Sequence, residues 1–162
     1  MIEGIFLLLG SNLGDKKKLL NVACMEIDKQ IGQITRKSAL YETAAWGKTD
    51  QPTFINQVVE VSSDLPAKEI LVRINQIESL LGRVRMEKWG ARMIDIDILY
   101  YGQDIVDTES LTIPHPGIPN RQFTLVPLVE IAPDFMHPVI QKSNKELLAT
   151  CPDTLEVNLI KR

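Results

Sequence analysis

Two carboxylates one residue apart are the feature of this sequence with the clearest chemical potential. Asp95 and Asp97 alternate with isoleucines in the run Ile94-Asp95-Ile96-Asp97-Ile98. Because the side chains of a β-strand alternate between its two faces, we expect both acids on one face and the isoleucines on the other. Two carboxylates held this close repel each other unless a cation neutralises them, and Mg²⁺ commonly binds such a pair together with substrate phosphates. Taken alone, the pattern fits a magnesium site and fits equally a half-exposed strand whose outer face is acidic.

A basic stretch directly precedes the two acids. Arg83, Arg85, Lys88 and Arg92 stand within ten residues that contain one acid, in a protein whose net charge is −3. Guanidinium groups beside metal-binding carboxylates suit phosphoryl transfer, because arginine stabilises the charge that moves in the transition state. A solvated loop is the usual interpretation of such a stretch taken alone. Its position next to the acids favours the phosphoryl-transfer interpretation.

The elements that must position these residues can be predicted from hydrophobic patterning. The order is β-α-β-β-α-β followed by a C-terminal extension, which is the ferredoxin-like α+β arrangement: an antiparallel sheet with two helices packed on one face. Strands are predicted at 5–9, 34–41, 54–61, 93–101 and 155–160, helices after Asp15, from Pro66 to a stop at Gly82, at 122–130 and after the capping box of Ser143 and Glu146, and turns over 108–119.

Length and composition set the class of protein. With 162 residues, 44% of them hydrophobic and 24% charged, the chain suits a single globular domain over 1–162. The slightly acidic balance gives no general attraction to nucleic acid or anionic membranes, and no apolar run approaches the roughly 20 residues that cross a bilayer. Cys24 and Cys151 form no CxxC pair, so neither a disulfide framework nor a zinc site is indicated. We therefore expect a cytoplasmic protein.

Several motifs together resemble one enzyme family. The run KWGARMIDIDIL, from Lys88 to Leu99, is similar to the signature of the 6-hydroxymethyl-7,8-dihydropterin pyrophosphokinases. The resemblance extends, in the same order, through LLLGSNLGD, FINQ, Glu78 with GRVR, IPH and NRQF, and covers roughly residues 4–135. It implies a ferredoxin-like fold and Mg²⁺-dependent transfer of the pyrophosphoryl group of ATP to the hydroxymethyl group of the pterin. The products are AMP and the pterin diphosphate, an intermediate of folate biosynthesis.

For ATP, the resemblance implies both the metal ligands and the residues that contact the phosphates. Asp95 and Asp97 would hold two Mg²⁺ ions that bridge the phosphates, and Arg83 and Arg92 would complete the catalytic set. Trp89 would help a loop to close over the site. The nucleotide-binding positions that the resemblance implies are Asn75, Glu78, Arg83, Arg85, Trp89, Arg92, Ile98, His115 and Arg121.

For the pterin, the chemistry and the resemblance agree. A flat heterocycle needs two aromatic faces for stacking and an amide for its polar edge. Phe54 and Phe123 match the stacking positions, and Asn56 matches the amide. The resemblance adds main-chain groups around Thr43, Ala45 and Trp46. The alternative for the two phenylalanines is an ordinary place in the hydrophobic core.

Two other functions stay open from the residues alone. One is a ferredoxin-like binding module for a small ligand or for RNA, although the acidic pair opposes a phosphate backbone unless a metal intervenes. The other is a related phosphotransferase that acts on a different heterocycle. As partners we expect the two small-molecule substrates, with neither nucleic acid nor membrane, and we expect a monomer.

Overall fold

The computed structural model describes residues 1–12, 14–43, 53–85 and 94–160, and for 83–85 the main chain alone. Most of the strands lie in the first two-thirds of the chain, and two of the α-helices lie in the last third. The elements are β1 (Ile2–Ser11), α1 (Lys16–Gln30), β2 (Gln33–Lys37), β3 (Tyr41–Thr43), β4 (Phe54–Ser63), α2 (Ala67–Arg85), β5 (Asp95–Tyr101), β6 (Val106–Asp107), β7 (Thr112–Ile113), a 3₁₀ helix (Ile118–Asn120), α3 (Gln122–Ile131), α4 (Asn144–Ala149) and β8 (Val157–Leu159).

The main sheet is antiparallel, with the strand order β5-β1-β4-β3-β8, and β2 also pairs with β4. β1 therefore lies inside the sheet, between β4 and β5. Its residues from Ile5 to Ser11 are buried, as expected of a strand covered on both faces. The predicted mixed fold of helices on an antiparallel sheet is confirmed.

Helices α1 and α2 cover one face of the sheet. Ile94, Ile96 and Ile98 point into the core on this side, each no more than 5% exposed, together with Leu7 and Leu9 of β1. The predicted inward orientation of the three isoleucines is therefore confirmed. Burial of an aliphatic side chain stabilises the fold by roughly 1.5–3 kcal/mol, so the alternation of β5 is strongly fixed.

The opposite face is covered as well, by α3 and α4, which the sequence pattern placed only in an extension. Phe6, Leu8 and Tyr100 of the sheet pack there against Leu125 and Leu128 of α3. The hydroxyl of Tyr100 donates to Asn144 at the start of α4, at 2.7 Å. The sheet is thus sandwiched between two helical layers.

The predicted strand 34–41 is wrong as a single element. The chain forms β2 and β3 instead, and Ser38 lies between them. The main-chain N–H of Ser38 donates to the carbonyl oxygen of Val58 at 2.8 Å, while the Ser38 hydroxyl accepts from the N–H of Val58 at 3.0 Å. The N–H of Ala39 then turns away to donate to the carboxylate of Glu130 on α3, at 3.0 Å. A serine hydroxyl thus replaces a main-chain acceptor and interrupts the strand.

Two further predictions about boundaries need correction, and two caps are confirmed. Helix α2 continues past Gly82, so this glycine is not the predicted stop, because a glycine inside a helix costs only about 1 kcal/mol. The 108–119 stretch includes β7 and the start of the 3₁₀ helix as well as turns. The carboxylate of Asp15 accepts from the N–H of Lys18, and Ser143 and Glu146 form the predicted capping box.

Within the described residues, no helix is long and apolar enough to span a membrane.

Candidate active site

A cleft of about 580 Å³ opens on the α3 side of the sheet. The start of α3 forms one wall, and the ends of the central strands form the floor. Helices α3 and α4 cover the apolar part of this face and leave the polar strand ends uncovered. The cleft is lined by Leu8, Gly10, Thr43, Phe54, Asn56, Asp95, Asp97, Asn120, Arg121, Phe123 and Leu155.

Both acids of β5 lie in this cleft, on the face opposite the buried isoleucines. Asp95 lies opposite Gly10 of β1, and Asp97 lies opposite Leu8. Both side chains are half-buried. The carboxylates therefore share one face of a strand that is fixed by β1 on one side and by the core beneath it.

The two carboxylates of the cleft could bind a divalent cation and leave some of its coordination positions open for substrate oxygens. Carboxylate oxygens are the hard donors that Mg²⁺ prefers, and Asp95 and Asp97 present two such groups to one cleft. Among the described residues, no group of three or more His, Cys, Asp or Glu side chains could enclose a metal. Two carboxylates suit an ion that completes its shell with phosphate and water oxygens, which is how Mg²⁺ usually binds at phosphoryl-transfer sites.

His115 lies close enough to Asp97 and to Arg121 for both charges to act on its imidazole ring. Burial lowers the pKa of His115 and Arg121 lowers it further, while the Asp97 carboxylate raises it. The ring nitrogen Nδ1 accepts from the N–H of Gly117 at 3.0 Å, and the main-chain N–H of His115 donates to the carbonyl oxygen of Leu99, also at 3.0 Å. A neutral imidazole whose Nδ1 accepts carries its proton on Nε2. His115 is therefore fixed as a neutral donor at the edge of β5.

Arg121 places a cation at the start of α3. Its guanidinium lies over the ring of Phe123, with Cζ 5.7 Å from the ring centroid. The same group packs against the main chain of Gly117, where an added Cβ would stand 2.8 Å from Cζ. The position of the guanidinium thus depends on the absence of a side chain at residue 117. Arg121 is exposed, so its charge is available at the mouth of the cleft.

The end of the cleft away from β5 has two aromatic walls and a polar floor. Phe54 of β4 and Phe123 of α3 both line the cleft, and Phe123 also packs against the core beneath α3. Asn56, which is 5% exposed, lies two residues beyond Phe54 on the same strand. Its Oδ1 accepts from the Thr43 hydroxyl at 3.2 Å, and its Nδ2 donates to the Leu9 carbonyl oxygen at 3.5 Å. The amide of Asn56 is thus held across three neighbouring strands.

Four of the predicted nucleotide-binding residues do not line the cleft, namely Asn75, Glu78, Ile98 and His115. The Ile98 side chain is 5% exposed and packs in the core under α1 and α2, so it does not enter the cleft, and the predicted contact of this residue with the nucleotide stays a prediction. Glu78 of α2 accepts from the main-chain N–H of Ile96 at 2.8 Å, which places it at the outer edge of β5. Asn75 is exposed on the same helix.

Other predicted site residues lie outside the described part of the chain. They are Ala45, Trp46, Trp89, Arg92 and the side chains of Arg83 and Arg85. Their roles stay predictions.

The cleft also contains residues that the sequence interpretation did not assign to the site. Gly10 belongs to the LLLGSN motif, and its position opposite both Asn56 and Asp95 follows from the strand order. Asn120 is the first residue of the NRQF motif, so its membership of that motif could have identified it as a site residue. Leu155 comes from the C-terminal segment, and no local pattern in the sequence marks it.

The paired carboxylates and the guanidinium of this cleft suit transfer of a phosphate-containing group, and its two aromatic walls suit a flat heterocycle. Comparison with protein families agrees. Residues 6–133 match the model of the family described as 7,8-dihydro-6-hydroxymethylpterin-pyrophosphokinase (HPPK). The chain belongs to this family. It is therefore an enzyme, and the family supports a pyrophosphokinase activity in folate synthesis.

Curated relatives carry the same description. The 2-amino-4-hydroxy-6-hydroxymethyldihydropteridine pyrophosphokinase of Aquifex aeolicus is 38% identical over 142 residues, which cover 88% of either chain. The enzyme of that name from Methylorubrum extorquens is 43% identical over 132 residues, covering 81% of this chain and 84% of the relative. The folic acid synthesis protein fol1 of Pneumocystis carinii is 39% identical over 137 residues, covering 85% of this chain and 18% of that protein.

Solved structures show the same fold at low identity. A crystal structure of Plasmodium falciparum HPPK-DHPS with STZ-DHP superposes with a TM-score of 0.75 at 18% sequence identity. The match covers 92% of this chain and 43% of that one. This chain therefore spans less than half the length of that solved protein.

Proposed function

We propose that this protein transfers the pyrophosphoryl group of ATP to the hydroxymethyl group of 6-hydroxymethyl-7,8-dihydropterin, with Mg²⁺ as the metal. The single observation that carries the proposal is the content of one cleft. Asp95 and Asp97 line it together with Phe54, Phe123 and the buried amide of Asn56. A metal–phosphate site and a site for a flat heterocycle thus share one space, as transfer between two substrates requires.

On the ATP side, we assign the phosphates to the groups around β5. Asp95 and Asp97 would hold two Mg²⁺ ions, which neutralise the phosphate oxygens when bound. Arg121 would contact the phosphates through its guanidinium, and His115 would donate from Nε2. Arg83, Arg85, Trp89 and Arg92 are proposed to complete the phosphate side.

The rest of the nucleotide is assigned to the outer edge of β5. The N–H of Ile96 points away from β1 towards Glu78. Alternate residues of a strand present their main-chain groups on the same side, so the main chain of Ile98 faces this edge too. We therefore propose that Ile98 contacts the nucleotide through its main chain, with Glu78 and Asn75 of α2 nearby.

On the pterin side, the ring would stack between Phe54 and Phe123. Asn56 would pair with its polar edge, since an amide offers both a donor and an acceptor. Main-chain groups of Thr43, Ala45 and Trp46 are proposed to complete the hydrogen bonds. A ring that cannot pair with the buried Asn56 would leave a polar group unsatisfied, at a cost of about 1–3 kcal/mol.

The chemistry that follows from this arrangement is a single displacement. The pterin hydroxymethyl oxygen forms a bond to the β-phosphorus of ATP, and the bond from that phosphorus to the α,β-bridging oxygen breaks. AMP leaves with the bridging oxygen, and the hydroxyl proton is released. Because the transition state of such a transfer is loose, positioning and charge stabilisation supply most of the acceleration. Closure that excludes water would keep ATP from being hydrolysed instead.

Three broader assignments belong to the same proposal. The strand order β5-β1-β4-β3, with helices between β1 and β2 and between β4 and β5, supports a ferredoxin-like classification. We propose that residues 1–162 act as one domain. We also propose that the protein is a cytoplasmic monomer and that its partners are its two small-molecule substrates.

Two binding titrations test the proposal. ATP affinity is measured with and without Mg²⁺, and the pterin is then titrated in the presence of Mg²⁺ and a non-hydrolysable ATP analogue. We expect ATP binding that depends on Mg²⁺ and pterin binding that is far tighter than that of a purine of similar size. Metal-independent ATP binding would contradict the roles of Asp95 and Asp97. A preference for the purine would favour a phosphotransferase for another heterocycle.

A further inference from the structure

The C-terminal segment reaches both sides of the cleft. β8 pairs with β3, so that Val157 lies opposite Thr43. A few residues earlier, Asp153 contacts the first turn of α3. The match to the family model ends at residue 133, so this segment lies beyond the residues by which the family is recognised. We call residues 153–159 the C-terminal strap.

The carboxylate of Asp153 joins the strap to α3. Its Oδ2 accepts from the main-chain N–H of Gln122 at 3.0 Å, and its Oδ1 accepts from the N–H of Leu155 at 2.9 Å. The side-chain amide of Gln122 donates back to the Asp153 carbonyl oxygen at 2.8 Å. Arg121, at the N-cap of α3, makes no capping hydrogen bond with its own side chain. Asp153 therefore supplies from a distance the acceptor that an N-cap residue usually provides, and its negative charge suits this end of the helix.

This contact fixes the residues on either side of Gln122. Arg121 and Phe123 both line the cleft, and they stack on each other. Any rotation of the first turn of α3 would move the Phe123 ring relative to Phe54. The hydrogen bonds of Asp153 to Gln122 therefore hold the turn that carries Phe123.

The strap also places one of its own side chains in the cleft. Leu155 lines the same space as Phe54 and Phe123, and it is half-buried. Asp153 fixes the strap before Leu155, and the pairing of β8 with β3 fixes it afterwards. An apolar side chain held at both ends of its segment is suited to contact a ring.

We propose that two residues of the C-terminal strap belong to the substrate site: Leu155 contacts the heterocycle bound between Phe54 and Phe123, and Asp153 is the positioning residue for Phe123. This inference rests on the proposed pterin function. It extends the site beyond the residues matched by the family model. It also makes the strap a determinant of which ring the cleft accepts.

The test compares four variants of the full chain: Leu155→Ala, Asp153→Ala, Asp153→Asn and the control Glu156→Ala, whose side chain is exposed on the same strap. Pterin affinity is measured in the presence of Mg²⁺ and a non-hydrolysable ATP analogue, and thermal unfolding is followed in parallel. We expect Leu155→Ala and Asp153→Ala to weaken pterin binding by roughly 5- to 30-fold, as for the loss of one or two buried contacts. Asp153→Asn, which keeps an acceptor oxygen, should recover part of the loss, and Glu156→Ala should bind as the wild type does.

The outcomes separate this inference from the proposed function. For Leu155→Ala, affinity for MgATP should stay within about twofold of the wild type, because Leu155 lies on the pterin side. If wild-type protein binds the pterin and both Leu155→Ala and Asp153→Ala bind it equally well, the strap has no role in the site, even if their unfolding temperatures fall. If Asp153→Ala does not fold, Leu155→Ala alone decides. If the wild type fails to bind the pterin, the proposed function and this inference fall together.

Discussion

The amide nitrogen of Asn56 lies directly over the main chain of Gly10, so that a Cβ added at residue 10 would stand 2.6 Å from Nδ2. The two residues are paired across β1 and β4, and both line the cleft. Real Cβ atoms essentially never come this close to another heavy atom, so Asn56 can occupy its position only because residue 10 is glycine. The polar floor of the cleft therefore depends on a residue with no side chain.

Gly10→Ala should displace the Asn56 amide and weaken pterin binding by about tenfold, the value of one or two lost hydrogen bonds. The measurement is a pterin titration with the ATP analogue present. The matched control is Gly82→Ala, because no atom of the described residues lies within 4 Å of a Cβ added in that helix. The control should keep its pterin affinity and gain roughly 0.5–1 kcal/mol of stability. Wild-type affinity in Gly10→Ala would show that the position of Asn56 is irrelevant to the ligand.

Thr43→Val should weaken pterin binding by roughly 3- to 10-fold. The Thr43 hydroxyl donates to Oδ1 of Asn56, and both side chains are buried, so the substitution removes the group that orients the amide. Thr43→Ser keeps the hydroxyl and should restore most of the affinity. Equal loss in both variants would point to packing of the methyl group, and not the hydroxyl, as the cause.

Asp97→Asn should lower the rate of AMP formation by about a thousandfold or more, because a neutral amide cannot replace a carboxylate as a ligand of Mg²⁺. The fold should be retained, since the side chain lies in the cleft and not in the core. Asp107→Asn, at an exposed acid on β6, serves as the control and should turn over at the wild-type rate. The comparison uses initial rates at saturating MgATP and pterin. Undiminished turnover in Asp97→Asn would refute the metal-binding role.

Stability should fall as the pH is lowered below about 6.5, partly through His137. Burial lowers the pKa of His137, and its Nδ1 accepts from the N–H groups of Val139 and Ile140 at 3.2 and 3.0 Å. The unfolded chain therefore binds this proton at a higher pH than the folded protein does. The contribution is present above the unfolded pKa and is lost as the pH falls towards the lower folded one.

The check is urea unfolding of the wild type and of His137→Asn at several pH values between 5 and 7.5. The variant keeps an acceptor oxygen but cannot titrate, so its stability should fall less on acidification. His115, whose pKa is lowered as well by burial, contributes to the pH dependence of both proteins. Parallel curves for the two proteins would show that His137 does not contribute.

The sequence predicted those parts of the site that follow from local pattern. Strand alternation placed Asp95 and Asp97 opposite the isoleucines, because a half-buried strand has only one stable orientation. The same rule placed Phe54 and Asn56 on one face. Strand order could not be read from alternation, and Gly10 became visible as a site residue only when β1 was known to lie between β4 and β5.

Other features depend on contacts that are distant in the sequence. The interruption between β2 and β3 results from Ser38 and from Glu130, which is 91 residues away from its partner Ala39. The Ile98 side chain is buried in the core, on the face of β5 opposite the Asp97 carboxylate, although the two residues are neighbours in the chain. Leu155 enters the cleft because Asp153 reaches α3, 31 residues away. No window of local sequence contains both partners of such a contact.

The most direct test of the central claim is to incubate the protein with ATP, Mg²⁺ and 6-hydroxymethyl-7,8-dihydropterin and to follow the nucleotides by chromatography. The account predicts that AMP appears in equal amount with the pterin diphosphate, and that omitting either the pterin or Mg²⁺ stops its formation. Formation of ADP in place of AMP, or AMP at the same rate without the pterin, would contradict it.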